Sequence, residues 1–184
     1  MQPTSPHQPS STVPGADRAA NPAQTVGILL AVCALALAIG MFTRSWGTAS
    51  EGRAEIAIGL VGIEGCHGGD CRALEWSRAG RTLDLPGDVT GLRIPALLLA
   101  IAALGAVGTA AGLALSGRVR SIPVKPLVGV IATAAGLLTL WTLRLATSDR
   151  DVDIGPGFSA FLAVGALVAA SALLRTKVRA LAAA

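Results

Sequence analysis

Residues 92–115 read LRIPALLLAIAALGAVGTAAGLAL, and the only charge in this run is Arg93, at its rim. At ~1.5 Å rise per residue, a helix of this length spans the ~30 Å hydrocarbon layer of a bilayer. Three more apolar runs of similar kind lie at residues 25–42, 126–143 and 157–174. None of these three holds an Asp, Glu, Lys, Arg or His. The pattern predicts four transmembrane helices, at about 25–42, 92–115, 126–143 and 157–174. Pro95, Pro126 and Pro156 fall near helix starts, where a missing N–H costs little.

The composition agrees. Of the 184 residues, 52% are hydrophobic and 14% charged, whereas soluble domains carry about 25% charge. Aromatics are 3%, and Tyr is absent. Ala, Leu, Val, Ile and Gly supply the apolar content, which suits helices packed in lipid through small faces. These values exclude a soluble enzyme, a disordered chain and a disulfide-dense secreted domain. Gly105, Gly108 and Gly112 form a small stripe predicted to mediate helix packing, and Gly108 and Gly112 make a G-x-x-x-G pair. Ala132, Ala135 and Gly136 are expected to do the same in the third helix, as are Gly165 and Ala169 in the fourth.

Basic residues in short loops set the predicted orientation. Arg118, Arg120 and Lys125 lie between helices two and three, and Arg175, Lys177 and Arg179 follow helix four, with no acid in either segment. Segment 43–91 holds five Arg against seven acids. Both termini and the middle loop are therefore expected on the cytoplasmic side of the plasma membrane. Loops 43–91 and 144–156 are expected outside. The net charge of +4 is then a topology signal, with no nucleic-acid partner implied. Residues 1–24, rich in Pro, Ser and Thr, read as a disordered cytoplasmic tail. They are poor in Lys and Arg for a cleaved leader. Residues 25–175 form the transmembrane domain, and residues 176–184 read as a second cytoplasmic tail.

Loop 43–91 is long for a connection. AEIAIGL, residues 54–60, alternates as a half-buried strand does, and CRALEW, residues 71–76, alternates again. A short strand at residues 82–85 is also expected. Between the first two lies CHGGDC, where Gly68 and Gly69 allow the positive φ of a tight hairpin. A disulfide between Cys66 and Cys71 fits an oxidising outer compartment. Two other chemistries stay open for this motif. One is a metal held by Cys66, His67, Asp70 and Cys71, which are cramped as a ligand set. The other is a redox-active pair, for which C-x-x-C spacing is usual. Cys33, inside the first run, reads as an apolar filler.

The order of these features resembles the claudin-like tetraspan superfamily, which includes peripheral-myelin-protein relatives and channel auxiliary subunits. The resemblance covers roughly residues 25–175. Trp46 occupies the place of the family's Trp after helix one. The family's G-L-W-x-x-C corresponds here to Val61-Gly62-Ile63-Glu64-Gly65-Cys66, so an aliphatic residue replaces the Trp. Gly59 and Leu60 fit that motif only with a short shift. Cys71 matches the second cysteine, with shorter spacing than in claudins, and Arg93 matches the Arg heading helix two. The resemblance implies a left-handed four-helix bundle with a small outer antiparallel sheet. It implies that Trp46 packs under the sheet and that Arg93 bonds loop carbonyls or a carboxylate such as Glu51, Glu64 or Asp88. The simpler alternative for both is an ordinary interface anchor.

The expected function is that of a structural or interaction protein. It would present its outer sheet for self-association, adhesion or binding of a partner membrane protein. No catalytic residue, cofactor, metal or small-molecule substrate is implied. The alternatives are a membrane thiol–disulfide oxidoreductase, which needs a further thiol pair, and a small transporter or channel component, which usually needs mid-membrane charge.

Overall fold

The computed structural model describes residues 21–51, 54–76, 87–147 and 155–183. Four long helices and a small antiparallel sheet make up the fold. Helix α1 spans Pro22–Phe42, α2 Gly87–Leu115, α3 Val124–Ala146 and α4 Phe158–Leu173. Each belongs to a helical stretch long and apolar enough to cross a membrane. The chain is a multi-pass membrane protein.

Local chemistry starts and stops these helices. Pro22 stands in the first turn of α1, and the Asn21 side chain accepts a hydrogen bond from the Ala23 N–H. Two helices run further than their apolar runs. Helix α2 begins at Gly87, so Pro95 lies inside it and not at its start. Helix α4 continues through a π turn, Leu174–Val178, into Arg179–Ala183. The segment expected as a tail from residue 176 is therefore helical to Ala183.

The helices pack in a ring, with α1 against α2 and α4, and α3 against the same two. The packing corrects the expected helix contacts. Around Gly105, Gly108 and Gly112 an added Cβ would meet open space, and all three face outward. Ala132, Gly136, Gly165 and Ala169 are exposed as well, whereas Ala135 of the same set packs partly against the core. The buried face of α2 is built from Ala96, Ala100, Ala103, Val107, Ala110 and Ala114. Lipid tails are as apolar as Leu, so large side chains gain little by turning inward, whereas small ones let backbones approach. Leu98 and Ile101 accordingly point out. Small residues occur at several angular positions around α2, so spacing alone did not choose the inner face. Within the helices, the glycines in close contact lie in α1. A Cβ on Gly40 would sit 2.9 Å from the Ala163 Cβ, and one on Gly27 2.8 Å from Leu115.

A direct prediction follows. Gly105→Ala, Gly108→Ala and Gly112→Ala should each leave stability within about 0.5 kcal/mol of the parent. Gly40→Ala should destabilise. Unfolding in detergent, followed by Trp fluorescence, compares them.

The sheet has strand order β4-β3-β2-β1-β5. Strands β1 (Gly47–Glu51), β2 (Ala54–Ile58), β3 (Ile63–His67) and β4 (Asp70–Leu74) form an antiparallel meander. Strand β5, only Gly155–Pro156, pairs with Gly47 and Thr48 and ties the loop before α4 to the sheet. The alternation seen in residues 54–60 and 71–76 corresponds to β2 and β4. Strands β1 and β3 carry no comparable signal. The strand expected at residues 82–85 lies outside the described residues.

Candidate functional site: the junction between sheet and bundle

The β3–β4 hairpin turns on Gly68 at φ +60° and Gly69 at φ +100°, the left-handed pair a two-residue turn requires. His67 and Asp70 close the turn, which makes Cys66 and Cys71 the next directly opposed pair. Hydrogen-bonded and non-hydrogen-bonded pairs alternate along such a ladder, and the latter bring side chains closer. Cys66 and Cys71 form a disulfide there. Their sulfurs bond each other, so neither is left as a metal-binding thiolate. Among the described residues no group of three or more His, Cys, Asp and Glu comes together. Cys33 is free and half-buried in α1.

Below the sheet, the three Trp residues of the chain gather. Trp46 is fully buried, and its Nε1–H donates to the Gly40 carbonyl at 2.7 Å. Gly40 lies in the last turn of α1, where carbonyls lack intrahelical partners, so the indole caps the helix. Trp46 packs edge-on against Trp141 of α3, with ring centroids 5.6 Å apart. The Trp141 Nε1–H donates to the Val89 carbonyl of α2 at 3.0 Å. Trp76, just after β4, lies 6.4 Å from Trp141. Its buried Nε1–H has no hydrogen-bond partner among the described residues, where it contributes through its ring faces.

Arg93 completes the junction. Its Nε–H donates to the Leu60 carbonyl at 2.8 Å, and its guanidinium lies over the Trp76 ring at 4.6 Å. Of the carboxylates expected as partners, Glu64 pairs with Arg44 at 3.3 Å instead. The side chains of Glu51 and Asp88 lie outside the described set. Gly62 has a lesser part than expected. Its carbonyl accepts from the Gly59 N–H at 2.8 Å, closing the β2–β3 turn, and a Cβ there would have room. Gly59 is the constrained glycine, because a Cβ would lie 2.8 Å from the Arg44 Cα. Leu60 beside it is fully buried.

A second seam joins α1, β1 and α4. Ser159, 1% exposed, shares hydrogen bonds with the hydroxyls of Thr43 and Ser45. The Gly157 N–H donates to the Trp46 carbonyl at 2.7 Å, and the Ser159 N–H to the Ser45 carbonyl at 3.3 Å. These bonds satisfy donors at the start of α4 that have no intrahelical acceptor. Sequence reasoning missed Trp141, Trp76, Gly157 and Ser159. The signal for the Trp residues was there: each of the three lies near the sheet-side end of an apolar run or strand.

Arg93→Ala is expected to remove about 1.5–3 kcal/mol, the range for a hydrogen bond from a charged donor. It should loosen the sheet while the helices still insert. Protease resistance of the loop that carries the sheet, in detergent, is the measurement, and unchanged resistance would make Arg93 an ordinary interface anchor.

Between α3 and α4 an apolar groove of about 430 Å³ is lined by Thr139, Thr142, Leu143, Phe161 and Val164, among others. Both threonine hydroxyls donate to carbonyls of their own helix, Ala135 and Leu138, so they offer the groove no free donor.

No protein-family model matches the chain, and no curated protein matches it in sequence.

Proposed function

We propose that this membrane protein is an interaction protein of the claudin-like type, presenting its disulfide-pinned sheet to a second copy or to a partner membrane protein. One observation supports this above the others: β4, an edge strand of the sheet among the described residues, is exposed along its whole length. In the β3–β4 ladder the alternation starting at His67–Asp70 turns the backbone groups of Cys71 and Ala73 away from β3. An open edge of this kind is a template for another chain, and the charges of Asp70 and Arg72 limit indiscriminate pairing. The disulfide holds this strand in register, and the Trp–Arg junction fixes the sheet to the bundle. The protein acts by shape and contact, without a bound cofactor.

A photo-crosslinking residue at Arg72 or Ala73 of the full chain, activated in intact cells, tests the reading. The expected products are adducts with a second copy or with one discrete membrane protein. Adducts with lipid alone would sink it.

In the same reading the sheet lies outside the plasma membrane and both termini lie in the cytoplasm, as the loop charges require. In a Cys33→Ala background, with Cys66 and Cys71 left bonded, a cysteine at Thr48 should react with an impermeant reagent in intact cells. One at Ser121 should not. The reverse pattern would invert every loop.

A further inference from the structure

The end of the bundle opposite the sheet brings together two basic segments that are far apart in sequence. Helix α2 ends in a turn centred on Gly117, at φ +75°, with the Arg118 N–H donating back to the Leu113 carbonyl at 2.8 Å. The chain then enters the 3₁₀ segment Val119–Ser121. Val119 and Ile122 are buried beneath it, while Arg118 and Arg120 face outward.

The C-terminal segment approaches from the other side. Its buried positions, Ala170, Leu174 and Val178, follow at intervals of four. In an unbroken α-helix each such step drifts by about 40° around the axis. The wider π turn Leu174–Val178 takes up that drift and keeps Val178 facing inward. The closing helix Arg179–Ala183 then packs beside Val119–Ser121. Arg118, Arg120, Lys125, Arg175, Lys177 and Arg179 thus share one end of the molecule, all exposed. Among the described residues, segments 116–125 and 174–183 contain no Asp or Glu, and none of the six cations has an ion-pair partner.

We propose that this end is a docking surface for the phosphate headgroups of anionic phospholipids. The cations flank the apolar runs of α2, α3 and α4, where the headgroups of a bilayer around those runs adjoin them. Guanidinium groups match phosphate oxygens in bidentate fashion. Each Lys or Arg near an anionic leaflet strengthens association by roughly fivefold. The topology rule accounts for the sign of each segment, but it does not require the C-terminal helix to fold onto the α2–α3 loop. The π turn produces that juxtaposition, and the inference holds whichever side of the membrane this end faces.

The test uses the full chain, delipidated in neutral detergent and offered equal phosphatidylglycerol and phosphatidylcholine. Native mass spectrometry counts the lipids retained. The wild type is expected to favour phosphatidylglycerol by roughly tenfold or more. R118Q/R120Q/K125Q and R175Q/K177Q/R179Q should each lower the preference several-fold, because each segment supplies half of the cations. R118K/R120K/R175K/R179K should keep most of it. Equal retention of both lipids by the wild type, or a full preference in both Gln variants, overturns the proposal. So does complete displacement by inorganic phosphate at matched ionic strength, which would assign the surface to the free ion. If a Gln variant loses the native Trp emission, the wild type alone decides. Its preference should fall as ammonium acetate rises, and a salt-independent preference overturns the proposal.

Discussion

Trp46→Ala is expected to destabilise the folded chain by about 3–5 kcal/mol, the range for truncating a buried Trp. Three losses coincide at this position. The ring volume vanishes from a fully buried site, the edge contact with Trp141 goes, and the Gly40 carbonyl keeps only the longer bond from the Thr43 hydroxyl, at 3.3 Å. The backbone bonds of Trp46, to the Ile58 carbonyl and from the Gly157 N–H, do not depend on the side chain, so the strand path should persist. The variant should therefore keep its four spans while its sheet-bearing loop becomes protease-sensitive. Trp46→Phe separates the contributions. It keeps most of the ring but not the N–H, and should cost about 1 kcal/mol for the lost hydrogen bond, together with some lost volume. Unfolding curves in detergent, read beside loop proteolysis, would show this order. Equal stability of Trp46→Ala and the parent would place the indole outside the core and refute the junction.

The second large effect is expected from a single methyl group. A Cβ at Gly157 would lie 1.7 Å from the Ser45 carbonyl oxygen, inside any permitted contact. The glycine is not there for its backbone angle, since φ is −81° and open to any residue. It is there because Ser45 and Trp46, leading into β1, pass directly over the start of α4. Gly157→Ala must push the two apart, which breaks the Gly157–Trp46 and Ser159–Ser45 backbone bonds and leaves buried Ser159 short of partners. A loss of about 4 kcal/mol or more is expected, the size reserved for disrupted buried networks. Gly105→Ala, which adds the same methyl to open space, is the matched control. Similar stability in the two alanine variants would contradict the close approach.

The two sets of glycines show where sequence reading stopped. The chain's length, apolar runs and loop charges determined four membrane-spanning helices. A lipid-exposed backbone must satisfy its own hydrogen bonds, and only a long apolar helix does so within one segment. The hairpin was equally legible, because Gly68, Gly69 and the flanking cysteines carry their geometry in a few adjacent residues. Local boundaries were less so, as the π turn at Leu174–Val178 and the early start of α2 depend on what packs alongside. Which face of each helix turns inward was decided only by the tertiary structure. Hydrophobicity does not distinguish a lipid-facing Gly from a buried Ala when both sides of the helix are apolar. The junction belongs to the same category. The partners of Trp46, Trp141 and Arg93 are backbone carbonyls of Gly40, Val89 and Leu60, and every residue type carries such a carbonyl. No sequence pattern marks which of them will be left open, because that follows from where the helices end in space.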